Sequence, residues 1–191
     1  MQQKLRKAHI PRARNSRRSK PRAIEKKIVT WTELLLRRKQ WHRQGRTVVW
    51  TNGCFDLLHV GHIRSLQDAR KLGDVLVVGV NSDKSIRRIK GAPRPLVPAK
   101  ERMTILAAIE AVDCVVMFEQ DTPEAALARL KPEIHCKGAD YAPPRGKPIP
   151  EAAVVRAYGG KIAFLPLVEK HSTTNLIAHI HKSSHSRARF A

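Results

Sequence analysis

The sequence predicts an α/β fold: a doubly wound parallel sheet of about five strands, with helices on both faces. Two patterns carry that expectation. Short continuous apolar runs, the mark of strands covered on both sides, alternate with helical segments across residues 28–181. Such alternation builds right-handed crossover units around a parallel sheet, and no internal repeat competes with it.

In chain order, Thr30 or Thr32 can cap a first helix that carries Leu34, Leu35, Leu36 and Trp41 and ends near Gly45. RTVVWTN (46–52) reads as a buried strand, HVGHIRSLQDARKLG (59–73) as a helix stopped by Gly73, and DVLVVGV (74–80) as a second buried strand. PAKERMTILAAIEA (98–111) is a helix with Pro98 near its first turn, where a missing N–H is tolerated. DCVVMF (113–118) and EIHC (133–136) are the third and fourth strands, with helix TPEAALARL (122–130) between them. Helix EAAVVRAYG (151–159), strand KIAFLPL (161–167) and helix STTNLIAHIH (172–181), capped by Ser172 or a neighbouring threonine, complete the body. Ligands of such sheets bind beyond the carboxyl ends of the strands, where the strand order reverses. The chemistry is therefore expected in the loops that follow the strands.

A chain of 191 residues fits one domain plus a tail, and a domain of about 150 residues buries a normal core. No stretch reaches the roughly 18 apolar residues of a membrane span. Cys54, Cys114 and Cys136 form no CxxC pair, which excludes zinc-finger spacing and a disulfide framework and suits a reducing, cytoplasmic setting. The net charge of +21 is uneven. Residues 1–27 hold eleven Lys/Arg against one acid, and residues 182–191 add three more cations. The first 27 residues, with Pro11, Pro21 and few apolar side chains, read as a disordered basic tail, and 182–191 as a second. The first 27 residues are Arg-rich and acid-poor like a transit peptide, but their two prolines and scarce apolar side chains argue against an amphipathic helix. The body, 28–181, carries 23 Lys/Arg against 15 Asp/Glu, a balance that suits anionic small substrates as well as nucleic acid.

The loop after the first strand runs Thr51-Asn52-Gly53-Cys54-Phe55-Asp56-Leu57-Leu58-His59-Val60-Gly61-His62. Gly53 permits a tight turn with exposed amides. His59 and His62, three apart at a helix start, can face one way, and Gly61 between them removes a side chain where a ligand must come close. The helix N-terminus adds unpaired N–H groups and a positive dipole end. Together these make a polyphosphate site. A zinc site would need a third ligand that nothing nearby supplies.

HVGH resembles the HxGH signature of the nucleotidylyltransferases, which have a Rossmann-like fold and share that signature distantly with class I aminoacyl-tRNA synthetases. A synthetase is excluded by the short chain and the lack of a KMSKS-like loop. The strings TNGCFDLLHVGH, VNSDKSIRRIKGAPRPLVPAKERMTILAAIEAVD, KGADY and YGGKIAFLPLVEKHSTTNLI resemble the D-glycero-D-manno-heptose 1-phosphate adenylyltransferase family, in order and over residues 28–181. The resemblance implies a nucleotidyltransferase that moves AMP from ATP to the sugar 1-phosphate, giving ADP-heptose, a lipopolysaccharide precursor, and pyrophosphate.

By the same resemblance His59, His62 and Lys90 are catalytic. Gly53, Cys54, Phe55, Arg102, Lys137, Gly138, Ser172, Thr173 and Thr174 join the histidines around the nucleotide. Asn52, Asp56, Arg94 and Asp140 face the sugar phosphate. Arg87 and Arg88 read equally well as a solvated basic face. Ser172 to Thr174 would cap their helix in any case. Cys54 reads as a small loop residue, since the reaction needs no covalent intermediate, and His135, His179, His181 and His185 as structural or exposed. Lys170 and His171 depart from the family pattern, which commonly has a glycine just before the last helix. No dedicated metal cage is expected; Mg2+ would bind mainly through nucleotide phosphates. In some relatives a sugar kinase domain precedes this one; a 27-residue tail in its place implies a separate kinase. The family also suggests a homodimer.

Two alternatives stand beside this reading. One is another cytidylyl- or adenylyltransferase with the HxGH signature, acting on glycerol 3-phosphate, phosphoethanolamine or FMN. The other is a nucleic-acid-binding protein using the basic tail, which could also touch an anionic surface. Aromatics make up only 5% of the chain, and the tail has none, so a base-stacking platform is not expected.

Overall fold

The computed structural model describes residues 23–168 and 171–187. The order is α1 (Trp31–Arg43), β1 (Val48–Gly53), α2 (Val60–Arg70), β2 (Val75–Asn81), α3 (Asp83–Lys90), α4 (Ala99–Ala108), β3 (Cys114–Phe118), α5 (Glu124–Leu130), β4 (Ile134–Gly138), α6 (Ala152–Ala157), β5 (Lys161–Leu165) and α7 (Thr173–Arg187). The five strands are all parallel, in the order β3-β2-β1-β4-β5. This is the expected doubly wound sheet, and the strand order reverses between β1 and β4.

Period-two alternation along the strands splits the core in two. Val48, Trp50, Val75, Val77, Cys114 and Val116 pack against α1, α5 and α6 on one face. Val49, Leu76, Val78, Val80 and Val115 pack against α2 and α4 on the other. Every residue of β2 is buried, as its unbroken apolar run requires. Of the two threonines that could cap α1, Thr30 does so. Its hydroxyl accepts from the Glu33 amide at 3.2 Å, and the Glu33 carboxylate accepts from the Thr30 amide at 2.8 Å, a reciprocal capping box.

Two features differ from the sequence expectation. The stretch read only as a basic run after β2 forms a helix, α3. Ser82 caps it, accepting from the Ser85 amide at 3.2 Å, and Ile86 anchors it in the core. The packed chain also reaches back into the segment read as tail. A 3-10 turn spans Ile24–Lys26, Lys27 is buried with Nζ donating to the Ile109 carbonyl at 3.0 Å, and Ile28 pairs in parallel with Val115 beside β3. Residues 1–22, 169–170 (with Lys170) and 188–191 lie outside the described residues, and so do the side chains of His181, Lys182 and His185. No helix among the described residues is long and apolar enough to cross a membrane.

Candidate active site

The site starts where β1 ends. The chain turns at Phe55, which has φ 47° and buries its ring 5.5 Å from that of His62. A non-glycine residue in that region costs about 1–2 kcal/mol, and a clamp from the 94–102 segment holds it there. The Asp56 carboxylate, fully buried, accepts from the Leu96 amide at 2.9 Å, from the Val97 amide at 2.8 Å and from Arg94 Nε. Burial alone would raise its pKa, but those donors hold it below the ordinary carboxylate value. Arg102 completes the clamp. Its side chain is 0% exposed, and it donates to the carbonyls of Val97 (2.9 Å), Asn81 (2.9 Å) and Cys54 and to Asp83 (2.7 Å).

The clamped loop delivers His59 to the N-cap of α2 and His62 to its first turn, with ring centroids 3.9 Å apart. The His59 amide donates to His62 Nδ1 over a long 3.4 Å, which leaves the ring proton of His62 on Nε2. His59 Nδ1 is buried and has no hydrogen-bond partner among the described residues, as is true of one polar atom each in Arg38, His135 and Tyr158, but it alone of these lies at a helix N-terminus. Burial, then the neighbouring His59, pushes the His62 pKa down to about 4. Burial, then His171, lowers that of His59. Both rings are thus neutral near pH 7 and offer N–H donors. A side chain at Gly61 would place its Cβ 2.9 Å from the His59 ring, so the glycine is what lets the ring lie over the helix start. From the opposite side Thr173 Oγ1 donates to the Leu57 carbonyl at 3.2 Å, bringing the N-terminus of α7 beside that of α2. Ser172 caps α7, accepting from the Asn175 amide at 3.0 Å, and the His171 ring stands 6.4 Å from that of His59.

Across the end of β1 lies a cavity of about 330 Å³, at the point where the strand order reverses. Asn52 and Gly53 of β1, Asp121 and Thr122 after β3, and Lys137 and Gly138 of β4 line it, together with Tyr141 and Glu151.

Residues 50–178 match the cytidylyltransferase-like family. The chain belongs to that family. It is 52% identical over 138 residues to the "Bifunctional protein HldE" of Syntrophotalea carbinolica, covering 72% of this chain and 28% of that one. The protein of the same name from Magnetococcus marinus is 47% identical over 154 residues, 81% of this chain and 31% of the relative. The chain thus spans less than a third of the length of these relatives. Among solved structures, the lipopolysaccharide core biosynthesis protein of Thermoplasma volcanium superposes with a TM-score of 0.53 at 27% identity, over 66% of this chain and all of that one. A pantoate-beta-alanine ligase of Francisella tularensis has the same TM-score at 15% identity, over 75% and 67% of the two chains, and shows the fold alone.

In this family member the residues expected at the site divide into three groups. His59, His62, Ser172 and Thr173 converge at the paired helix starts, with Thr174 exposed beside them. Lys90 ends α3, exposed, and its charge is felt at Cys54, whose thiol pKa burial nevertheless pushes up. Asn52, Gly53, Lys137 and Gly138 line the cavity instead. The third group is corrected. Arg102 does not face a nucleotide, because its buried guanidinium is spent on three carbonyls and Asp83. Asp56 and Arg94 bind each other and the backbone rather than a sugar. Asp140, partly exposed between the cavity residues Gly138 and Tyr141, accepts from Lys147 at 2.6 Å. The tight turn expected at Gly53 falls at Phe55, since Gly53 is still in β1. Of the histidines left as structural or exposed, His135 is buried and His179 is exposed. Sequence reasoning missed Glu151, Asp121 and Thr122. Only the proximity of Asp121 and Thr122 to the end of β3 could have flagged that pair.

Proposed function

We propose that the chain is an adenylyltransferase that moves AMP from ATP to D-glycero-D-manno-heptose 1-phosphate, producing ADP-heptose and pyrophosphate. The observation that carries this is the neutral His59–His62 pair at a helix N-terminus, with a buried, unpartnered Nδ1, in a chain of the cytidylyltransferase-like family. The four sequence blocks and the names of the similar proteins favour the heptose branch. The attacking oxygen of a sugar phosphate is already an anion, so no strong base is needed. Catalysis comes from positioning and from stabilising charge on the transferring phosphoryl group. His59 and His62 donate N–H to the triphosphate as charge moves to the bridging oxygen, and Lys90 neutralises the equatorial oxygens. Among the described residues no three His, Cys, Asp or Glu side chains cluster as metal ligands. Mg2+ would arrive on the nucleotide, held by its phosphate oxygens and water, and would supply charge neutralisation. The work belongs in the cytoplasm, with ATP and a sugar kinase to supply the 1-phosphate. The three free cysteines fit that setting.

The test is pyrophosphate release with ATP and with CTP, each against heptose 1-phosphate, glycerol 3-phosphate, phosphoethanolamine and FMN. ATP with heptose 1-phosphate is expected to be fastest. Faster release from CTP with glycerol 3-phosphate would transfer the chain to a different branch of its family.

A further inference from the structure

We propose that Glu151 is a positioning residue: it fixes the Lys137 ammonium in the cavity so that the lysine receives the oxygens of the acceptor sugar phosphate. The proposal rests on the transferase reading above, and it assigns the second half of the site.

The cavity and the histidine pair are adjacent but separate. None of His59, His62, Ser172 or Thr173 lines the cavity. The histidines belong to α2, which packs on one face of the sheet. Pro123 at the start of α5 and Glu151 at the start of α6 wall the cavity, and those helices pack on the opposite face. In-line transfer needs the entering oxygen and the leaving pyrophosphate on opposite sides of the reacting phosphorus. If the triphosphate lies at the histidines, the acceptor must come from across the end of β1, which is where the cavity is. Its 330 Å³ sits at the small end of ligand sites, roughly 300–1,000 Å³, a size for one sugar rather than a whole nucleotide. Asn52, Asp121, Thr122, Lys137 and Tyr141 give it the hydrogen-bonding groups that a polyhydroxylated anion would use.

Within that wall Lys137 is held from two directions. His135 and Lys137 lie two apart on β4, so their side chains leave the same face of the strand. Both reach one carboxylate oxygen of Glu151, at 3.1 Å and 2.9 Å. Glu151 is 1% exposed. Burial would raise its pKa, but hydrogen bonds from His135 and Lys137 outweigh it and bring the value down to about 2, so the carboxylate is ionised in use. The Lys137 Nζ also stands 4.1 Å from the centroid of the Tyr141 ring. An ammonium has three donors. One goes to Glu151, and the side chain keeps 15% exposure on the cavity wall, where the others can meet a ligand.

The experiment uses the full chain and titrates heptose 1-phosphate and, separately, ATP by calorimetry into wild type, Glu151→Gln, Lys137→Ala and the double variant. The expected result is at least tenfold weaker sugar phosphate binding in each single variant, with no further loss in the double variant and ATP binding unchanged throughout. Steady-state kinetics should show the same split, a raised acceptor KM with an unchanged KM for ATP. Unchanged sugar phosphate affinity in a Glu151→Gln protein that merely melts lower would overturn the proposal, as would a parallel loss of ATP binding or no sugar phosphate binding to wild type. If Glu151→Gln does not fold, Glu151→Asp, which keeps the charge one methylene further back, is compared instead. Glu151-dependent binding without pyrophosphate release would sink the transferase reading alone. Release with heptose 1-phosphate that ignores Glu151 would sink this one alone.

Discussion

At the scale of single residues, the histidine pair joins chemistry to stability. His59→Ala and His62→Ala should each lower turnover roughly a hundred- to a thousandfold, the usual loss of one transition-state donor, while the melting temperature shows an intact fold. Near-normal turnover in either variant would remove that histidine from the mechanism. The depressed His62 pKa gives a second expectation. Above pH 6.5 the folded and unfolded rings are both neutral, and the group contributes no pH dependence. As pH falls from 6.5 towards 4 the unfolded chain takes up a proton that the folded chain refuses, so stability declines. Denaturant midpoints should fall across that window, and less steeply in His62→Phe. Glu151 acts in a lower window. Its carboxylate stabilises the fold above about pH 4.5, and that contribution is lost as pH falls towards 2. Residues with one obvious motif role were readable in the sequence; those with a hidden partner were not. Arg102 and Asp56 look like ligand contacts until their buried acceptors and donors, up to 48 residues away, come into view. Glu151 gave no signal, because its importance comes from His135 and Lys137 on the neighbouring strand.

Among the elements, the start of α2 shows how close the packing around the histidines is. Gly61→Ala replaces a poor helix former with the best one, worth up to about 1 kcal/mol in a helix interior, yet its Cβ would arrive 2.9 Å from the His59 ring. The expected outcome is a melting temperature equal to or above wild type together with turnover reduced more than tenfold. Full activity would mean that the ring can move aside without loss. All five strands were readable, most plainly β2, whose apolar run is buried on both faces; β4, with His135 and Lys137, was legible only as a short segment between two helices. That ligands gather beyond the carboxyl ends of the strands followed from the fold class, but which two strands flank the reversal came only with the observed order. By contrast α3 escaped notice. Its apolar residues are only Ile86 and Ile89, one buried and one exposed, among four cations and an acid that look like a solvated run. The cavity wall was equally hidden. Asp121 and Thr122 reach it because α5 crosses from β3 to β4, past β2 and β1.

For the whole molecule, the +21 charge and the boundary of the packed chain lead to one comparison. Every residue placed in the chemistry lies at Asn52 or later, so deleting residues 1–22 should leave turnover at physiological salt nearly unchanged. Those residues carry nine Lys/Arg and no acid, and their charge can still draw in anionic substrates. Screening over about 8 Å at physiological ionic strength confines that benefit to low salt. Deleting residues 1–27 is a different operation. It removes the buried Lys27, whose Nζ donates to the Ile109 carbonyl and whose carbonyl accepts from the Val115 amide at 2.8 Å, beside the edge strand β3. Two such bonds are worth about 1–3 kcal/mol together, so the longer deletion should lower the melting temperature by several degrees, roughly 2–8 °C for domains of this size. Turnover per folded molecule should stay close to wild type in both truncations. Equal melting temperatures for the two would mean that Lys27 contributes nothing to the fold. A large loss of turnover at physiological salt in the 1–22 deletion, without a change in melting, would mean that the basic segment reaches the site itself.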